Sequence, residues 1–316
     1  MDAIDWLLDS DPAIAWQAMR DLTDASREAV AAERARVTRE GIGAEILASQ
    51  SSDGSWHQAN APDWLPTLYT PLFLRATGVD PAEPAVESAM VRLEVGFRWA
   101  EEFGAKPFFE GEVEPCINGA TLALGAYFGH PAESLARRLV DDQLDDGGWN
   151  CEAPKSSRSS FHTTICVLEG LLEYERAVGS VPEIAAARQR GEEYLLKRSL
   201  FKRLSTDEVA HPAFLKFAYP PRYHYDVLRA LDYLRESGIQ NGVPPDPRIG
   251  DALHVLESRR QSDSRWLLDD AYDEALAIPF AESVGEPSRW NTLRALRVLR
   301  WYEATAPLAD EHPLGR

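Results

Sequence analysis

The chain has 316 residues, 44% of them apolar, with 33 basic against 51 acidic side chains and a formal net charge of −18. That is enough apolar sequence to bury a sizeable core in one large domain or two ordinary ones. The charge balance disfavours nucleic acid and anionic membrane surfaces as partners.

The start, "MDAIDWLLDSDPAIAWQAMRDL", lacks the basic leader and continuous apolar stretch of a secretory signal. No run of about 18 apolar residues follows. No transmembrane segment is expected, and the location is read as cytoplasmic. Cys116, Cys151 and Cys166 are an odd number in a long chain, which points to reduced thiols rather than a disulfide framework.

Almost every predicted element is a helix, so the fold class is all-α. Residues 1–38 contain "DPAIAWQAMRDLTDA", a helical segment suited to cap an array, and are read as an N-terminal helical cap. The main domain runs over 39–305, and a tail over 306–316. Within it, "PAEPAVESAMVRLEVGFRWAEEF" and "YHYDVLRALDYLRES" place apolar residues at three- and four-residue spacing. Asp with Pro marks helix starts ("DSDPAIAW", "GVDPAEPAV"), and Gly or Asn marks stops ("YFGHP", "ESGIQNG"). Five further helices with apolar, small-residue patterns begin at 66, 115, 160, 223 and 289, a spacing of one helix hairpin plus connection per repeat.

A local motif repeats as well. "AEILASQSSDGSW" (44–56) and "RRLVDDQLDDGGW" (137–149) both end in Gln-x-x-Asp-Gly-x-Trp, with Gln50, Asp53, Gly54 and Trp56 matching Gln143, Asp146, Gly147 and Trp149. In a weaker third copy, "HVLESRRQSDSRW", Asp263 and Trp266 keep their places while Ser264 stands for the glycine and Arg260 for the glutamine. The glycine permits a left-handed helix stop, the aspartate caps free backbone groups, and the tryptophan packs on a neighbour. The glutamine is expected to bond the end of the next helix.

These elements, each followed by a second helix, resemble the QW repeats of the squalene cyclase and protein prenyltransferase superfamily over roughly residues 40–303. The resemblance implies an α/α toroid, with an inner ring of parallel helices around a pocket and an outer ring carrying the motifs. It also implies a terpenoid cyclase- or prenyltransferase-like activity on an apolar isoprenoid-like substrate. The family's Asp-x-Asp-Asp acid is missing; "VDDQLDDGG" and "LLDDAYDEA" have other spacings. The prenyltransferase zinc pattern, an aspartate with a cysteine two residues on, is broken too, because Cys151 follows Asp146 by five.

In a toroid the inner-helix starts crowd one mouth of the pocket, and polar residues collect there. His162, His224 and Asp226 are the candidates for acid–base chemistry, since imidazole exchanges protons near neutral pH and a nearby carboxylate raises its basicity. Tyr69, Asn118, Arg222, Tyr225, Trp290 and Asn291 are candidate substrate contacts. The positive ends of the parallel helices favour an anionic group on an otherwise apolar small ligand. Cys116, Cys151 and His162 form a candidate metal set, for which zinc is the natural ion. Thr163, Asn118 and Asn291 also read as plain helix caps, and Cys166 as core. "HPAFLKFAYPPRYHYDVLRAL" looks like an inserted stretch that lines or lids the pocket. Two other readings remain: a non-catalytic helical-repeat protein binding a ligand or peptide, and an α/α-barrel carbohydrate enzyme using Asp145 with Asp146 or Asp269 with Asp270.

Overall fold

The computed structural model describes residues 2–305. The tail expected at 306–316 lies outside the described residues. Thirteen α-helices make up nearly all the regular structure among them. They are α1 (Ala3–Leu8), α2 (Pro12–Leu22), α3 (Arg27–Arg34), α4 (Gly41–Ala48), α5 (Trp64–Ala76), α6 (Pro84–Gly96), α7 (Pro115–Tyr127), α8 (Glu133–Asp141), α9 (Phe161–Val178), α10 (Pro182–Leu196), α11 (Val227–Asn241), α12 (Gly250–Ser258) and α13 (Arg289–Thr305). The only strands described are a two-residue antiparallel pair, β1 (Trp266–Leu267) and β2 (Pro287–Ser288). The fold is all-α, and no helix is long and apolar enough to cross a membrane among the described residues.

Local sequence explains most helix limits. Asp11 caps α2 by accepting from the amide of Ala13, with Pro12 in the first turn, where its missing N–H costs nothing. Gly242 ends α11 in the left-handed region at φ 63°. The helix expected over 81–103 is shorter, because α6 stops at Gly96. Beyond it Trp99 turns inward, its indole N–H donating to Phe108 O at 2.8 Å and its ring stacked on Phe108 at 5.4 Å.

The five apolar helices foreseen in sequence are α5, α7, α9, α11 and α13. Each touches the next: α5 packs on α7, α7 on α9, α9 on α11, and α11 on α13. The α7–α9 crossing is the tightest, since a Cβ on Gly119 would stand 2.4 Å from Cys166 O and one on Gly170 2.4 Å from Gly119 O. Helix α2 continues the series. It packs on α13, while Trp16 donates its indole N–H to Thr77 O at 2.8 Å, just past the end of α5.

The repeated turns stand between α4 and α5, α8 and α9, and α12 and α13, with one geometry. The indole N–H of Trp56, Trp149 and Trp266 donates to Ile46, Leu139 and Leu256 carbonyls, at 3.0, 2.6 and 2.8 Å. Their backbone amides donate to Thr67, Thr164 and Thr292 hydroxyls on the following helix, at 3.1, 3.0 and 3.0 Å. Gly54 and Gly147 take φ +87° and +97°, and a Cβ there would strike the Arg92 or Arg190 carbonyl. Ser264 is forced to φ +64° at the same place.

The glutamines do more than the expected helix-end contact. Gln50 Nε2 bonds Gly54 O at 3.0 Å and Ala89 O, within α6, at 2.8 Å, while Arg92 donates back to Gln50 Oε1. Gln143 repeats this with Gly147 O, Ala187 O on α10, and Arg190. Each turn therefore ties down the first helix of the next pair. The third turn, where Arg260 stands at the glutamine position, faces α1, where Arg265 and Arg289 lie over the Trp6 ring at 4.2 and 4.7 Å.

Candidate functional site

A cavity of about 800 Å³ opens among α2, α3, α5, α7, α9, α11 and α13. Its wall changes character along the helices. Near the starts of α11 and α13 it is aromatic: Tyr219 stacks on Trp290 with centroids 4.8 Å apart, and Phe73 meets the Trp290 edge at 5.6 Å. The segment Tyr219–Arg222, with Tyr272 and Leu276, closes that end. Toward the other end the wall is charged, and in total nine arginines and four carboxylates line the cavity. On a chain of net charge −18, this is a local reversal of sign.

Most of these charges are paired. Arg75 forms a close ion pair with Glu173, and Arg176 bridges Glu173 at 3.3 Å and Glu236 at 2.9 Å. Burial works against ionisation of Glu236, but Arg176, Arg235 and Arg75 hold its carboxyl well below the usual range. Arg229 bonds Glu169 at 2.7 Å. Arg34 has no carboxylate partner among the described residues; it donates to the Gly78 and Val79 carbonyls at 2.7 and 3.1 Å, which hangs α3 across one side of the cavity. Arg297 meets Asp21 at 2.6 Å and Gln17 Oε1 at 2.7 Å. Burial lowers its pKa; Asp21 opposes this and Arg235 adds to it.

The residues singled out in sequence separate into two groups. Tyr69, Arg222 and Trp290 line the cavity, and Arg222 lies over the Tyr69 ring at 5.4 Å while pairing with Glu274. Burial pushes the Tyr69 hydroxyl well up. The others stand behind the wall. Asp226 is the cap of α11: it accepts from the amide of Arg229 at 2.8 Å and from that of Ala218 at 3.4 Å, and burial raises its pKa. Asn118 joins its own helix start to the Glu112 amide and carbonyl at 2.8 and 3.1 Å. Asn291 donates to Phe217 and Leu267 carbonyls at 2.9 and 3.1 Å. Tyr225 is buried with its hydroxyl on Leu200 O. These four complete backbone bonding, the role that polar residues at helix starts most often have.

His162 and His224 do meet, with ring centroids 6.0 Å apart. Nδ1 of His162 accepts from the amide of Tyr225 at 2.9 Å. His224 is stacked between Tyr272, at 3.4 Å, and Tyr223, at 4.1 Å, and its Nδ1 is buried without a partner. Burial first, then Arg229 and His211 for His162, and His162, Arg222 and Arg229 for His224, pull both down to about 4. Both rings are neutral at pH 7, and His224 reaches the cavity through Tyr272.

The metal set assembles differently from expectation. Cys116 and Cys151 come together, but the third group is Glu114, and the three donor atoms all lie within 4.8 Å of one another. His162 is not in this group, its Nδ1 being occupied by the Tyr225 amide. Cys116 Sγ donates to Glu114 Oε2 at 3.7 Å, and the interaction of the two thiols pushes Cys116 up and Cys151 down. The Thr163 hydroxyl adds a 3.4 Å bond to the Cys151 sulfur. Cys166 is buried core, as expected, and burial pushes its thiol up to about 11.

The paired aspartates are engaged elsewhere. Asp146 accepts from Ser159, and Asp269 takes the Phe217 amide at 2.8 Å and Arg259 at 2.7 Å. None of Asp145, Asp146, Asp269 and Asp270 lines the cavity. What sequence reasoning missed is the arginine wall. Its trace is there in "RWNTLRALRVLRWYE", where Arg294 and Arg297 interrupt a buried helix on one face.

No family model and no curated protein matches this chain. Among solved structures, a protein from Actinoplanes aligns with 95% of this chain and 97% of its own, at 16% identity and a TM-score of 0.48.

Proposed function

We propose that the chain is an α/α toroid of the terpenoid cyclase and prenyltransferase kind, taking a small ligand with an apolar, isoprenoid-like body and an anionic end. The ring reading is supported by the unbroken series of contacts from α5 through α13 to α2 and back to the end of α5. On it, α1 and α2 are the sixth hairpin rather than a cap. The observation that carries the ligand reading is the two-sided cavity wall, aromatic around Phe73, Tyr219 and Trp290 and arginine-rich beyond. Few concave sites combine stacked rings with so many guanidinium groups unless a ligand with both characters enters. Acid–base work falls to His224 and Tyr272, the titratable stack at the aromatic end, with His224 neutral and able to accept a proton.

Titration calorimetry with farnesyl phosphate tests this reading. One site per chain is expected in the wild type. Ala120→Trp, which fills the cavity from α7, is expected to weaken it about tenfold or more, as a lost pocket contact of roughly 1.4 kcal/mol or greater requires. No uptake, or uptake indifferent to Ala120→Trp, contradicts it.

A second reading, a zinc-dependent enzyme, is favoured by the convergence of Glu114, Cys116 and Cys151. Two thiolates and a carboxylate fit a soft divalent cation and leave a fourth position for water or substrate. Elemental analysis decides it: stoichiometric zinc in the wild type, lost in Cys151→Ser, supports the site, and a zinc-free wild-type protein refolded in zinc speaks against it.

A further inference from the structure

Resting on the cavity reading above, we propose that Arg294 is the anchor for the ligand's anionic group, a carboxylate or phosphate oxyanion, while the apolar body lies on Trp290, Tyr219 and Phe73. Arg294 lies one turn of α13 after Trp290, so both side chains share the face that lines the cavity. Its guanidinium also sits 5.6 Å above the Tyr219 ring, the partner in the Trp290 stack. A body resting on those rings therefore brings its end group to Arg294.

Arg294 is buried and its contacts with protein acceptors are all long. Its side chain is 8% exposed. Its nearest acceptors are Asn291 Oδ1 at 3.4 Å, Ala218 O at 3.5 Å and Asp232 at 3.6 Å, all from the Nη1 or Nε side. Nη2 makes no hydrogen bond among the described residues. Asp232 gives Oδ1 to Arg235 at 2.8 Å and faces the Nε side of Arg294 with Oδ2 at 3.6 Å, which leaves the Nη2 side for a ligand. A guanidinium presents five donors in a planar fork, and burying one without acceptors is unfavourable. Such a group persists where an incoming oxyanion completes it, in the bidentate geometry that arginine favours.

Two fluorescent probes of nearly the same shape test the anchor. 1-Anilinonaphthalene-8-sulfonate carries an anion, and N-phenyl-1-naphthylamine does not. Wild-type protein is expected to bind both and to prefer the sulfonate. Arg294→Gln is expected to weaken sulfonate binding about tenfold or more, in keeping with a charge-assisted pair, and to leave the neutral probe within about twofold. Arg294→Met, without ligand, is expected to raise the thermal midpoint by about 2 °C or more, because it removes an under-bonded buried cation.

Unchanged sulfonate affinity in Arg294→Gln overturns the anchor. So does a midpoint several degrees lower in Arg294→Met, which makes Arg294 a structural partner of Asp232 instead. If the wild type takes up neither probe, the cavity reading itself fails, which separates the two claims. Displacement of the sulfonate probe by inorganic phosphate ahead of acetate assigns a phosphate end group, and the reverse order a carboxylate. Displacement by neither counts against the anchor.

Discussion

The three tryptophan turns and the cavity wall obey opposite rules. In the turns, the indole and the amide of each tryptophan have acceptors, and these bonds recur three times; even Ser264, in the degenerate copy, keeps the turn bond to Gln261 O at 2.9 Å, as Gly54 and Gly147 do to Ser51 and Leu144. In the wall nothing repeats. Arg75, Arg229, Arg294 and Arg297 come from non-equivalent positions, Arg75 Nε is buried without a partner among the described residues, and Arg294 makes only long contacts. Repetition of the same satisfied bonds marks scaffold, and singular, incompletely bonded charge marks the place where something else binds.

That contrast can be broken most severely at the tryptophans. Trp149→Ala should cost about 3–5 kcal/mol in chemical denaturation, because it empties a fully buried site and strands the Leu139 carbonyl. A loss below about 1 kcal/mol would show that the turns are ornament. Next comes the left-handed glycine: Gly147→Ala should cost about 1–3 kcal/mol, since φ is +97° and the new Cβ would stand 2.7 Å from Arg190 O. The reciprocal change in the third copy, Ser264→Gly, should gain up to about 1 kcal/mol by relieving φ +64°. Equal effects of the two changes would mean that the copies are not equivalent in energy.

A smaller loss, about 1–2 kcal/mol, is expected for Gln143→Ala, which leaves Ala187 O and Arg190 without their shared partner. The subtlest effect lies at the site. His162 and His224 have folded pKa values near 4, below the ordinary imidazole value of 6.5. Between pH 6.5 and 4 the unfolded chain therefore binds more protons, and stability falls as pH is lowered through that window. His162→Asn, which keeps an acceptor near the Tyr225 amide, should flatten that fall in a series of thermal melts. A slope identical to wild type would put the sensitivity on other groups.

The helices and turns were legible because their causes are local. Asp11 and Pro12 announce α2, apolar spacing announces α9 and α13, and a seven-residue motif announces the tryptophan turns. The limits of α6 were not legible, because the burial of Trp99 against Phe108 is a tertiary event. At the site, His224 and Asp226 looked like one polar cluster, but Asp226 was capping α11, a role indistinguishable in sequence from catalysis. His162 starts a helix at the same mouth as Cys116 and Cys151, which makes it a natural third ligand in sequence, but the fold brings Glu114, two residues from Cys116, to the two sulfurs instead. Arg294 and Arg297 passed unnoticed because an arginine on an apolar helix reads the same whether it faces solvent or a cavity. Only the packing of α13 against α11 and α2 separates those cases.

The most direct measurement is a crystal structure of the protein grown with farnesyl phosphate. The account predicts density in the central cavity, with the phosphate within hydrogen-bond distance of Arg294 and the isoprenoid chain against Trp290, Tyr219 and Phe73. A ligand bound outside the cavity, or turned so that its phosphate meets Tyr272 and its chain lies among the arginines, would contradict it.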